Sequence, residues 1–427
     1  MSLSSLWMPF TQMKDMANPP KVVSAKGVII ELDNGKKLID CISSWWVTLH
    51  GHGQPEIAEA IYNQAKKLEH VIFAGFTHDP AEKLADRITS TLPGKLNKLF
   101  YSDDGSTSVE VALKMAFQYW KNKNIEKRTR FLSFEGSYHG DTIGAMSVGS
   151  RSIFNEIFRD LLFKVDFIPY PSIYLDDPNI KEKEEKALEV LMNYLSQRGD
   201  EYAALIIEPL VQGAGGMRMC SSNFLQSLEK IIRQHDILII YDEIMTGFGR
   251  TGDIFACIKA GTFPDIICLS KGITGGFMPL AATICTDKVF EAFLSDDPKK
   301  TFYHGHSYTA NPIGCAAAIA SLELLEKNYN QFKNMENIHL KNLDNFKNNK
   351  RVNNLRVCGT IAAMDVNCVG KTEYLNKVGP YLKKKFIEEG FLIRPLGNVI
   401  YLIPPYCITE NELNSIYSCI QKTISFI

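Results

Sequence analysis

The chain has 427 residues, 45% of them hydrophobic and 22% charged, with a formal net charge of −1. That length exceeds one ordinary core and points to two domains, while the near-neutral balance excludes the basic field of a nucleic-acid or anionic-membrane binder. Ten cysteines are scattered without a Cys-x-x-Cys pair, and no stretch reaches the length of a transmembrane helix, so reduced, buried thiols in a cytoplasmic protein are expected.

The first residues, Met1 to Trp7, lack a basic region followed by a long apolar core, so no signal peptide is expected. Val28 to Asp33 and Lys36 to Asp40 flank Asn34 and Gly35, which predicts a hairpin. Ser43, Ser44, Trp45 and Trp46 follow, then a loop rich in glycine and histidine (His50 to Gly53). Two adjacent tryptophans either line a pocket for an apolar substrate or belong to the core. His50, His52 and His70 lack acidic partners at metal-ligand spacing, so no metal site is expected.

From residue 55 to about 315, helical stretches alternate with short apolar runs, the pattern of a parallel α/β sheet. Lys98 to Ser102 reads as a strand that leads into Gly105, Ser106 and Thr107, then a helix with apolar Val109, Ala112, Leu113, Ala116 and Trp120. Glycine, hydroxyls and a helix start suit either a phosphate cradle or a plain N-cap at Ser106 or Thr107. Arg130 to Phe134 is a second strand, opening into Tyr138, His139, Gly140 and Asp141. A charged helix over residues 176–200 carries no chemistry. Ala203 to Ile207 ends in Glu208, Ile237 to Tyr241 ends in Asp242, and Ile266 to Leu269 ends in Ser270 and Lys271. Open α/β sheets bind ligands at such strand ends. From about residue 320 a long helix (Ala316 to about Lys327) gives way to strands at Ala362 to Val366 and Val399 to Ile403. The expected division is an N-terminal segment (1–54) that joins a smaller α+β domain (321–427), around a larger domain (55–320).

A phosphate cradle, an aromatic face, a buried carboxylate and a lysine at strand ends are what pyridoxal 5′-phosphate requires. Gly105 and Ser106 suit its phosphate, Tyr138 its ring, Asp242 its protonated ring nitrogen and Lys271 its aldehyde, with Lys271 also the base that moves the substrate proton. No Gly-x-x-x-x-Gly-Lys-Ser/Thr motif supports a nucleotide site.

At this point a family resemblance emerges. Tyr241 to Gly252 resembles the signature of class III, fold-type-I aminotransferases, and Ser270 to Gly276 and Tyr138 to Asp141 belong to the same pattern. The resemblance runs essentially the whole length. It implies a fold-type-I α/β architecture, a large domain with a mostly parallel sheet flanked by helices, and a homodimer with shared active sites. It also implies cofactor contacts from Gly105, Ser106, Tyr138, Glu208, Asp242 and Lys271, with His306 and Ser307 reaching across the dimer to the partner's phosphate site. Trp45, Trp46, Gly305 and Arg394 match the substrate pocket, Arg394 suiting a carboxylate; Arg250 and Tyr401 are candidates there or structural residues. Trp7 to Thr11, Ser43 to Trp46, and Ile393 to Pro395 followed by Tyr401 resemble the branch that aminates 8-amino-7-oxononanoate in biotin biosynthesis. Phe10 departs from the tyrosine of the best-known members. The resemblance implies S-adenosylmethionine as amino donor, with lysine, or another class III ω-aminotransferase activity, as alternatives.

Overall fold

The computed structural model describes residues 5–15, 19–368 and 375–427; the first four residues of the N-terminal stretch read above for a signal peptide lie outside them. A seven-stranded sheet forms the centre, in the order Leu96–Ser102, Ala281–Thr286, Ile266–Leu269, Leu238–Asp242, Tyr202–Ile207, Arg130–Phe134 and Val165–Ile168. Ala281–Thr286 runs antiparallel to both of its neighbours, and the other strands share one direction. All five strands expected here are present. Val165–Ile168 and the antiparallel Ala281–Thr286 were not anticipated.

The apolar runs are continuous because the sheet is covered on both faces. Leu205, Ile207, Ile239 and Tyr241 enter one buried cluster, whereas Ala204, Ile206, Leu238 and Ile240 enter the other, as the two-residue period of a strand dictates. Helices close both faces through stripes of the right spacing. Ile180–Arg198, the charged helix of the sequence, buries only Ala187, Leu191 and Leu195, and Ser222–Gln234 buries Phe224, Leu225, Leu228 and Ile232.

Asn34 and Gly35 do turn a hairpin: Ile29–Leu32 pairs antiparallel with Lys37–Asp40, and Gly35 has φ +79°. Val22–Lys26 extends this sheet on one side, and Phe391–Leu392 joins Lys37–Asp40 in parallel on the other. A three-stranded antiparallel sheet holds Val352–Cys358, Ile361–Val366 and Val399–Leu402. The N-terminal and C-terminal parts of the chain therefore share one sheet.

The turn between Cys358 and Ile361 is packed against backbone. Gly359 has φ +60°, and a Cβ there would strike Thr251 and Gly252. Its N–H donates to Glu336 Oε2 at 2.9 Å. Gly359→Ala is expected to cost roughly 2–4 kcal/mol, left-handed strain plus overpacking, read as a lower urea midpoint with unchanged denaturant slope.

Candidate active site

The parallel strands deliver their carboxyl ends to one edge, and a cavity of about 620 Å³ opens there. Ile266–Leu269 is wholly buried and ends at Ser270, whose hydroxyl donates to the Leu280 carbonyl at 2.9 Å. Lys271 follows with φ +45°, in the left-handed region that a lysine rarely adopts. Its Nζ lies 5.0 Å from the centroid of the Trp46 ring. Burial lowers its pKa, and the Asp242 and Glu208 carboxylates partly oppose that shift. A lysine so placed is easier to deprotonate and therefore more nucleophilic than one in water.

Asp242 ends its strand almost completely buried, accepting from the Ile244 N–H at 3.1 Å and facing His139 Nδ1 at 2.7 Å. Glu208 is anchored by two backbone donors, Tyr138 N–H at 3.1 Å and Gly213 N–H at 3.0 Å. Burial raises its carboxyl to about 7; His139 opposes the rise and Asp242 adds to it. Tyr138 donates its hydroxyl to Asp141 Oδ2 at 2.9 Å, and burial pushes its pKa upward. Its ring lines the cavity.

Asp104, rather than Ser106 or Thr107, caps the helix Gly105–Asn122. Its carboxylate accepts from the Thr107 N–H while Thr107 Oγ1 accepts from the Asp104 N–H, a reciprocal capping box. Gly105 and Ser106 are thereby the first residues of the helix, at the cavity wall, where N–H groups and the dipole favour an anion. A Cβ on Gly105 would come within 2.9 Å of Ile244. Ser106 Oγ accepts from the Asp141 N–H at 3.2 Å, joining the two loops.

The opposite wall is aromatic. Ser43, Ser44, Trp45 and Trp46 have φ of +48°, +43°, +73° and +75°, one turn of left-handed helix closed by Trp46 N–H to Ile42 O at 2.9 Å. Such a turn costs L-residues roughly 1–2 kcal/mol each. It sends both indoles to the cavity. Trp45 meets Phe10 edge-on at 5.7 Å, and the Arg394 guanidinium lies 4.7 Å over the Trp45 ring. Trp46 Nε1 donates to the Tyr401 hydroxyl at 3.1 Å.

Most of the residues expected from the sequence therefore converge. Arg250 does not line the cavity: it is buried behind it, donating to Pro404 O at 3.0 Å and Trp46 O at 3.2 Å. Gly305 and Ser307 are exposed outside the cavity lining, and His306 lies 3.5 Å from Asp103 at its rim. His139 and Phe154 are among the lining residues that the sequence did not single out. His139 was within a noted motif without a role, and Phe154, 5.8 Å from Phe10, had no sequence signal. Among the described residues no group of three or more metal-ligating side chains is gathered, and no helix is long and apolar enough to cross a membrane.

Because burial raises the Glu208 carboxyl, its protonated form is the one the fold favours. Its contribution to apoprotein stability is complete below the unfolded value of 4.5 and is lost as pH rises through about 7. Compared with Glu208→Gln, the wild-type apoprotein should lose up to about 3 kcal/mol between those limits, measured by urea unfolding at stepped pH.

Comparison with known proteins places this geometry. The family description "Aminotransferase class-III" matches residues 12–424. The adenosylmethionine-8-amino-7-oxononanoate aminotransferase of Synechococcus elongatus is 54% identical over 422 residues, covering 99% of both chains. The crystal structure of the enzyme of the same name from Methanocaldococcus jannaschii has a TM-score of 0.90 at 35% identity, covering 99% of this chain and 97% of its own. A PLP-bound amine transaminase from an uncultivated Pseudomonas species has a TM-score of 0.92 at 28% identity, covering 99% of both chains. The likeness holds along the whole chain in both sequence and fold, and the chain belongs to the class-III aminotransferases.

Proposed function

We propose that this chain transfers an amino group to the ketone of 8-amino-7-oxononanoate, yielding 7,8-diaminononanoate for biotin biosynthesis, with S-adenosylmethionine as donor. The observation that carries the reading is the meeting of two walls in one cavity: Lys271, Asp242 and Tyr138 on one side, Trp45, Trp46 and Arg394 on the other. The full-length identity to relatives bearing that activity in their name supports it.

The residues present fit pyridoxal 5′-phosphate. His139 Nε2 and Thr246 Oγ1 are buried at the cavity without a hydrogen-bond partner in the protein, the mark of a polar site built to be filled. Gly105 and Ser106 would hold the phosphate, Tyr138 would cover the ring, and Asp242 would hold the ring nitrogen protonated, with Glu208 supporting the Tyr138 loop. When bound, the cofactor supplies an aldehyde and an electron-withdrawing ring that makes the substrate's C–H bond acidic. Lys271 then removes that proton as a neutral amine and returns one on the second half of the cycle, which burial favours by lowering its pKa. Trp45 and Trp46 exclude water, Tyr401 orients Trp46, and Phe10 packs on Trp45 without contributing a hydroxyl. Arg394 receives a substrate carboxylate. Donor and acceptor occupy this one cavity in turn, a ping-pong cycle.

The same reading extends to assembly and place. The chain acts as a homodimer in which His304 to Ser307 serve the partner's site; the exposure of Gly305 and Ser307, with Tyr303 71% and Tyr308 62% exposed beside them, supports this. It divides into a large domain (55–320) and a small one formed by 1–54 with 321–427, a division supported by the pairing of Lys37–Asp40 with Phe391–Leu392. It resides in the cytoplasm, in keeping with ten free thiols.

The holoenzyme should show a visible absorbance band that S-adenosylmethionine bleaches and 8-amino-7-oxononanoate restores. Bleaching by lysine alone would reassign the donor, and absence of any band in folded, cofactor-supplemented protein would overturn the reading. Arg394→Met should raise KM for 8-amino-7-oxononanoate roughly 10- to 150-fold, the value of a charged hydrogen bond, with kcat little changed in steady-state assays.

A further inference from the structure

We propose that Asp40 is a positioning residue for the substrate wall, acting with Ser44 and His52 to hold the left-handed turn that carries Trp45 and Trp46. The geometry is concentrated on one wholly buried carboxylate. Asp40 Oδ1 accepts from the Ile42 N–H at 3.1 Å, immediately before the turn. Asp40 Oδ2 accepts from the Ser44 hydroxyl at 2.8 Å, inside the turn, and shares a hydrogen bond with His52 Nε2 at 3.0 Å. His52 is itself fixed, its backbone exchanging two hydrogen bonds with Gly27 at 3.0 and 2.7 Å. The carboxylate thus ties the turn to two other segments of the N-terminal sheet.

The turn needs such a tie because none of its residues is a glycine, and an unrestrained Ser-Ser-Trp-Trp segment returns to negative φ. Two further bonds seat it, Ser43 Oγ to Ile403 O at 2.7 Å and Arg250 to Trp46 O, but each holds only its first or its last residue. Asp40 alone bonds to both its entry and its interior. Relaxation of the turn would swing Trp45 away from Arg394 and Phe10 and Trp46 away from Tyr401 and Lys271. Asp40 and His52 touch none of the groups assigned to the cofactor, so the effect falls on substrate capture. Asp40 therefore governs KM through the indoles.

The inference rests on the substrate pocket proposed above. The test uses the holoenzyme of Asp40→Asn, which keeps the volume but loses one acceptor. KM for both substrates should rise about tenfold or more while kcat changes less than about threefold. The visible absorbance should be unchanged and the near-ultraviolet circular dichroism of the tryptophans altered. His52→Ala, at the half-buried end of the network, should shift KM the same way by about threefold. Adding Ser44→Gly to Asp40→Asn should bring KM back towards wild type, because glycine accepts positive φ without a tie. A lowered unfolding midpoint with wild-type KM and dichroism, a shifted cofactor band, or no rescue by Ser44→Gly would each overturn the proposal. Failure of the wild-type enzyme to aminate 8-amino-7-oxononanoate would instead overturn the functional reading, leaving the dichroism and its rescue to report on the turn.

Discussion

A lysine surrounded by protein has to be met by opposite charge or shed its own, and much of this structure follows from how Lys271 is met. The strands ending at Asp242 and Glu208 lie side by side and parallel, with the Lys271 strand next to Asp242's. Sheet register thus brings two carboxylates and one amine to the same edge without any long loop. Desolvation still prevails and lowers the lysine's pKa. That residual imbalance shifts the amine towards its neutral form.

The carboxylates are held unequally, and the difference separates their work. Asp242 faces a buried histidine ring, whereas Glu208 accepts two backbone N–H groups and carries a raised pKa. Asp242 is tied to the His139 ring; Glu208 fastens the Tyr138 loop to the loop at Gly213. Arg250 shows the same economy in a positive group. It is fully buried, yet its donors go to two main-chain carbonyls, so it fastens the Trp46 turn to the C-terminal segment from behind.

The central strands, and the residues that line the cavity from their ends, were legible in the sequence for one reason. Buried parallel strands are apolar runs, and each ends in an ionisable or polar residue that breaks the run. Ala281–Thr286 escaped because its small side chains carry no strong strand signal, and Val165–Ile168 because Asp166 interrupts a short edge run. The substrate wall was legible only in composition. Trp45 and Trp46 stood out, but no residue pattern signals a left-handed turn made without glycine, and its restraints come from Asp40, Arg250 and Ile403, which only tertiary structure gathers. Phe154 reaches the cavity from an irregular stretch where periodicity says nothing. The helix cap at Asp104 lies two residues before Ser106, the first of the hydroxyls.

The two walls of the cavity also differ in when they can exist. The strand-end wall draws on residues between Gly105 and Lys271, but Trp46 is hydrogen-bonded to Tyr401 across 355 residues of chain, and Lys37–Asp40 completes its sheet only with Phe391–Leu392. On a ribosome moving at about 5–20 residues per second, the first forty residues wait roughly 20–70 s for those partners. Through that interval a strand edge and two indoles lack their final neighbours, the kind of surface that chaperones bind and that aggregates in crowded synthesis. A nascent chain would thus possess most of its strand-end wall well before its aromatic wall.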